Sequence, residues 1–183
     1  MPRRRPLLIV DGYNVVHATP RYEELVDAQV NPKALDTDPF VRAREALLAD
    51  VAAYAKGTYE AVIVYDAADN LAPERPVYKS AGILQIFSET DQSADEVIEG
   101  LVTDARHAGR AVTLVTSDGT IRSTAGFGPG EVTCVSSDLL AREMARDRAE
   151  AAPVQAQAAR THLTLEDRIA PEQREKLWQL LRG

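Results

Sequence analysis

One cysteine in 183 residues rules out a disulfide framework. Cys134 falls inside an aliphatic run that reads as a strand, where a free thiol behaves as a small buried hydrophobe. Positive charge is also scarce: 21 Lys and Arg stand against 28 Asp and Glu, a formal net charge of −7. Nonspecific coating of nucleic acid is driven by neutralising phosphates, so this balance argues against such a protein. It leaves room for a nuclease, whose own site must be acidic to hold metal, if a local basic patch or a docking partner supplies the missing attraction. Arg3-Arg4-Arg5 is one short basic cluster; it reads equally as a solubilising arm or an RNA contact. No apolar run approaches the roughly 20 residues of a membrane-spanning helix, and no signal-peptide core opens the chain. The expectation is a cytoplasmic protein without a membrane partner. The three histidines, His17, His107 and His162, are too scattered for a zinc site or a catalytic triad. Gly126-Phe127-Gly128-Pro129-Gly130 lacks the lysine and the strand-to-helix setting of a phosphate-binding loop.

Aliphatic runs that end in acids are what the sequence does contain. Leu7-Leu8-Ile9-Val10 leads into Asp11-Gly12-Tyr13-Asn14, Ala61 to Tyr65 ends in Asp66, and Val112 to Thr116 ends in Ser117-Asp118. Continuous aliphatics mark strands buried on both faces of a parallel sheet. Open α/β sheets place ligands at the carboxyl ends of their strands. Ser93-Ala94-Asp95-Glu96 adds two carboxylates at a helix start. Acids that converge without matching bases repel one another, so a cation is the natural compensator. An all-oxygen donor set suits Mg²⁺ or Mn²⁺. The chemistry this points to is metal-assisted phosphoryl transfer.

Further strands are expected at 83–87 and 132–135, with helices over 39–55, 93–109, about 120–125, 136–150 and 171–182. Residues 17–38 read as a long connection and 151–160 as a linker or loose helix. The alternation predicts an α/β domain with a mostly parallel, doubly wound sheet over 1–150. Residues 151–183 would then form a C-terminal linker and a helix packing on or beside it.

Individual residues keep two readings each. Asp11 is a metal ligand or a helix cap. Asn14 orients a phosphate oxygen or a water, or merely steadies the turn. Gly12 supplies backbone freedom for that turn. Tyr13 stacks an unpaired base or packs against a neighbouring loop. Glu96 completes a capping box with Ser93, which leaves Asp95 the stronger acid of the pair; Glu99 reads as solvated. Asp118 is a ligand or an acid acting through water, and Ser117 hydrogen-bonds phosphate or caps the following helix. Asp66 is ambiguous beside Asp69 and Glu74. Haloacid-dehalogenase-like phosphatases also begin with a strand-end Asp but need a second Asp two residues later, where this chain has Tyr13.

Taken together, Val10-Asp11-Gly12-Tyr13-Asn14, Val64-Tyr65-Asp66-Ala67, Ser93-Ala94-Asp95-Glu96 and Thr116-Ser117-Asp118 resemble the NYN domains of the PIN-like nuclease superfamily. Their order, their spacing and the Phe127-Gly128-Pro129-Gly130 loop look most like the YacP-like branch. The resemblance implies a three-layer α/β/α PIN-like domain and a metal-dependent endoribonuclease acting on single-stranded RNA. That branch includes a bacterial endoribonuclease that cleaves mRNA in the ribosomal A site, so mRNA and the ribosome are the implied partners. Asp11, Asp66, Asp95 and Asp118 match the acidic positions and Asn14 the family asparagine. Asp11, Asp95 and Asp118 would hold Mg²⁺ or Mn²⁺. Candidate ribosome contacts are Arg3 to Arg5, residues 17–38, and Arg142, Arg146 and Arg148, which read equally as balancing Glu143, Asp147 and Glu150 on a solvated helix. The rival readings are a non-catalytic RNA- or ribosome-binding module and a metal-dependent phosphatase.

Overall fold

The structure, a computed structural model, describes residues 4–29, 38–66, 77–89, 92–119 and 130–161. Contacts divide the chain into two compact units, Met1–Ala145 and Arg146–Gly183. Among the described residues the first holds six strands: β1 (Leu7–Asp11), β2 (Glu60–Tyr65), β3 (Tyr78–Ser80), β4 (Ile83–Phe87), β5 (Val112–Val115) and β6 (Val132–Val135). They form one sheet in the order β3-β4-β2-β1-β5-β6. Only the β3–β4 pair is antiparallel; the other four pairings run parallel. The helices among the described residues are α1 (Gly12–His17), α2 (Pro20–Gln29), α3 (Val41–Ala55), α4 (Ala94–His107) and α5 (Ser137–Thr161), the last crossing from the first unit into the second. The mostly parallel sheet expected from the alternation of elements is present, flanked by helices in the three-layer α/β/α arrangement that the resemblance implied.

Strand β1 shows why. Side chains alternate faces along a strand, so Leu8 and Val10 join one core with α1, α2 and α3, while Leu7 and Ile9 join another with Ile98, Val102 and Ala105 of α4. All four are essentially buried. Helix α4 is set by the capping box foreseen at its start: the Ser93 hydroxyl accepts from the Glu96 amide at 3.2 Å, and Glu96 accepts from the Ser93 amide at 3.1 Å.

The 17–38 stretch departs from expectation. Residues 20–29 are helical, and 30–37 lie outside the described residues. Helix α2 presents one fully buried aromatic, Tyr22, backed by Leu25 and Val26, and is polar elsewhere. That stripe is too narrow to show as a period in the sequence. Asp38 turns the chain into α3, accepting from the amide of the N-cap residue Phe40 at 2.9 Å. Cys134 is half-buried in β6 rather than enclosed. The expected helices at 120–125 and 171–182 lie outside the described residues.

An aromatic cluster closes the carboxyl end of the sheet on the α3 side. Tyr65 lies 5.2 Å from Tyr13 and 5.0 Å from Phe87 between ring centroids, and Tyr13 lies 4.9 Å from Phe40. The Arg44 guanidinium covers Tyr65 and Phe87 at 5.9 and 5.5 Å, donates to the Tyr13 hydroxyl at 3.0 Å and pairs with Asp38. Among the described residues the Tyr65 hydroxyl is buried without a hydrogen-bond partner. An unsatisfied buried hydroxyl costs about 1–3 kcal/mol. Tyr65→Phe is therefore expected to melt at the same temperature or higher with activity unchanged; thermal melts check this, and a clear loss would mean the hydroxyl has a partner in solution.

Candidate active site

Because β1, β2 and β5 run parallel, their three terminal acids emerge on one edge of the sheet: Asp11 ends β1, Asp66 follows β2 and Asp118 follows β5. After β1 the chain passes to β2 on one side, and it later returns to β5 on the other. The gap between β1 and β5 is thus the topological switch point, where such sheets bind ligands. Two side chains bridge it. The Thr116 hydroxyl donates to Asp11 Oδ2 at 3.2 Å and accepts from the Asp118 amide at 3.0 Å. Asn14 Oδ1 accepts from the Ser117 amide at 3.0 Å and from the Ser137 hydroxyl at 2.6 Å, while Ser117 Oγ accepts from the Ser137 amide at 3.2 Å. One network joins the ends of β1 and β5 to the first turn of α5.

Since the Ser117 amide can only donate, the Asn14 atom it meets must be the carbonyl oxygen. The amide nitrogen of Asn14 keeps its donors without a partner among the described residues. That leaves it able to hydrogen-bond a phosphoryl oxygen.

Asp11 also caps α1, accepting from the Asn14 amide at 3.2 Å. Its carboxyl is nonetheless pushed up from 3.8 to about 6. Burial is the main cause, opposed by the bonds from Asn14 and Thr116 and reinforced by repulsion from Asp95 and Asp118. Asp95, exposed in the first turn of α4, is also raised, by partial desolvation and then by Asp118, Asp66, Glu99 and Glu96. Among the described residues no cation is ion-paired with Asp11 or Asp95. Asp11, Asp95 and Asp118 therefore lie within electrostatic reach of one another. Asp66 sits beside them and accepts from the Ala94 amide at 3.2 Å, which anchors the start of α4.

Among the described residues, no three carboxylate, imidazole or thiolate groups converge tightly enough to form a closed metal cage. This donor set still fits Mg²⁺ or Mn²⁺. Mg²⁺ is usually held by one or two carboxylates, with waters and substrate phosphates completing its shell. Asp11, Asp95 and Asp118 are the residues that could hold it, directly or through water.

Two local expectations change. Tyr13 is only 5% exposed, clasped by Phe40 and Tyr65, so packing and not base stacking is its role in this conformation. Gly12 begins α1 with an ordinary backbone. A Cβ there would lie 2.3 and 2.5 Å from the Tyr65 ring, so it is glycine for space and not for freedom of the turn. Thr116 and Ser137 were missed as participants, since hydroxyl residues are common and only the β1–β5 adjacency brings these two to Asp11 and Asn14. On α5, Arg142 pairs with Asp138 and Arg146 with Glu150. Arg3 lies outside the described residues.

Residues 8–182 match the model of the YacP-like NYN domain. Uncharacterized protein YacP of Bacillus subtilis (strain 168) is 28% identical over 134 residues, covering 73% of this chain and 72% of that protein. A crystal structure of Rae1 (YacP) from Bacillus subtilis, in a tryptophan-to-leucine variant, superimposes with a TM-score of 0.61 at 26% identity over 89% of each chain. A second Rae1 (YacP) crystal structure from that organism gives 0.62 at 22% identity over 97% of this chain and 95% of that one, a likeness of fold. The chain belongs to the YacP-like NYN domain family of PIN-like nucleases.

Proposed function

We propose that this protein is a divalent-metal-dependent endoribonuclease that cleaves single-stranded RNA at the carboxyl edge of its sheet, with mRNA on the ribosome as the substrate. The observation that carries the reading is the bridged β1–β5 switch point, where Asp11, Asn14, Thr116 and Asp118 share one hydrogen-bond network. A Mg²⁺ or Mn²⁺ ion held there would polarise the phosphoryl group and lower the pKa of an attacking water. The chain supplies the positioning. Thr116 fixes the Asp11 carboxylate, and its own amide is tied to the Val135 carbonyl at 3.1 Å, so the acid is held by the sheet itself. Ser117 and Ser137 fix the Asn14 carbonyl, which presents the amide nitrogen to a phosphodiester oxygen. Asp95 and Asp118 keep the local potential negative, favouring a cation and, once it is bound, tolerating the anionic substrate.

A ribosomal setting is supported by the net charge of −7, which weakens encounter with free RNA. Among the described residues no helix is long and apolar enough to cross a membrane. The test offers purified protein one end-labelled transcript, naked and within translating ribosomes, and p-nitrophenyl phosphate alongside. Internal cleavage that is faster on ribosomes, with p-nitrophenyl phosphate untouched, is the expected result. Phosphate release without strand cleavage would make the site a phosphatase; binding without any turnover would make it a docking module.

A further inference from the structure

The opposite, amino edge of the sheet carries the reverse charge. Two neighbouring clefts, of about 630 and 460 Å³, open there and share Arg5. Arg4 and Arg110 line the first; Lys56 and Lys79 line the second. Among the described residues the only acids in their walls are Glu60 and Glu131, so five cations face two anions there in a chain whose total is −7. Lys56 and Lys79 are two of the four lysines in the whole sequence.

The patch is organised. Arg110 pairs with Glu60 at 2.7 Å and donates to the Arg5 carbonyl at 2.8 Å, which pins the N-terminal arm. The Pro6 carbonyl accepts from the Glu60 amide at 3.0 Å and the Leu7 amide donates to Ala111 at 2.9 Å, holding the same arm to both neighbouring strands. One acid of the walls is thus matched to the one partly buried cation. Arg4, Arg5, Lys56 and Lys79 are exposed and carry no ion pair among the described residues. Like charges gathered without counter-charges repel, and an external polyanion relieves this.

We propose that the amino edge is an RNA-docking surface that holds the phosphate backbone without reading bases, separate from the acidic edge where cleavage is assigned. Among the described residues the cleft walls hold cations and no aromatic beyond the partly buried Tyr59, which favours phosphate contact over base stacking. β1 is five residues long, so the two edges stand about 17 Å apart at 3.3 Å per residue. The nucleotides docked at one edge are therefore not those cleaved at the other. The inference rests on the nuclease reading only for its choice of RNA as the polyanion.

The test measures binding of fluorescein-labelled polyuridylate in EDTA across a salt series, for the full chain and for Arg4→Gln/Arg5→Gln/Lys56→Gln/Lys79→Gln. All four positions are exposed, and a thermal melt verifies that the variant folds. Each neutralised phosphate contributes about 0.7 to the log–log salt slope on a single strand, so the slope should shrink by about 2–3 and low-salt affinity fall at least about tenfold. Removing Arg21, Arg142, Arg146 and Arg148 as glutamines takes away the same charge elsewhere and should leave binding within about twofold, since three of the four already face a carboxylate partner; a thermal melt verifies that this variant folds too. Equal affinity and slope in wild type and the amino-edge variant overturn the proposal, as does equal loss in the control variant. Retained RNA binding with lost binding to phosphatidylserine vesicles would overturn it in favour of a lipid surface. Cleavage of a short oligomer with Mn²⁺ is read separately: failure in wild type counts against the nuclease reading and leaves the docking result standing.

Discussion

Replacing Asp11 with asparagine should abolish RNA cleavage while leaving the metal-free protein at least as stable at neutral pH. The activity loss is expected to reach at least about a thousandfold, the factor given by about 4 kcal/mol of lost transition-state stabilisation. The stability half follows from the raised carboxyl. In the folded chain Asp11 titrates at about 6 rather than 3.8. Between those values the folded state keeps a proton that the unfolded state has released. Folding stability from this group therefore falls as pH rises through that window, and the full penalty applies above it. A shift of about two units corresponds to at most about 3 kcal/mol. Asparagine removes the charge while its carbonyl can still accept from the Asn14 amide. Melts in EDTA should show Asp11→Asn equal to or above wild type at neutral pH. That advantage should vanish below the unfolded-state value of 3.8. A variant clearly less stable than wild type at neutral pH would make Asp11 a structural cap. Asp95→Asn should follow the same direction with a smaller effect, since Asp95 is exposed and solvent screens it.

Gly12→Ala should be the most destabilising single substitution at the site. The new Cβ would meet Tyr65 Cε1 at 2.3 Å and Ile63 Cγ2 at 3.0 Å. Tyr65 is fully buried between Tyr13 and Phe87 and has no room to retreat. Overpacking of this kind costs about 1–3 kcal/mol and sometimes more. Any relief through the backbone moves Asp11 and Asn14, and misplacement by about 1 Å lowers a rate about a hundredfold. Denaturant melts and cleavage rates check both effects. The cause is separable: in a Tyr65→Leu background the same Gly12→Ala change should cost much less. An equal cost in both backgrounds would mean that backbone freedom, not the ring, is what Gly12 provides.

The sheet was legible in sequence because β1, β2 and β5 are buried on both faces and so read as unbroken aliphatic runs. β3 was not, since Tyr78, Lys79 and Ser80 are all exposed and pair along one edge only. α1 was hidden by its length of six residues and by β-branched Val15 and Val16, which favour strands. The four acids could be named because each ends a strand or starts a helix. Their supports could not. Thr116 matters because β5 lies beside β1, and Ser137 because α5 begins beside both; strand order is a tertiary fact that local pattern does not carry. The basic edge was hidden for the same reason: Arg5, Lys56 and Lys79 are far apart in the chain and meet only through the sheet.

Metal-dependent cleavage at the acidic edge is the central claim. The most direct measurement reads Mn²⁺ binding by electron paramagnetic resonance and cleavage of a labelled single-stranded RNA in the same samples, for wild type, Asp11→Asn and Asp118→Asn. Wild type should bind the ion and cut, EDTA should stop the cutting, and both variants should lose binding and cleavage together. Cleavage by wild type that persists in EDTA, or variants that bind Mn²⁺ and cut as well as wild type does, would contradict it.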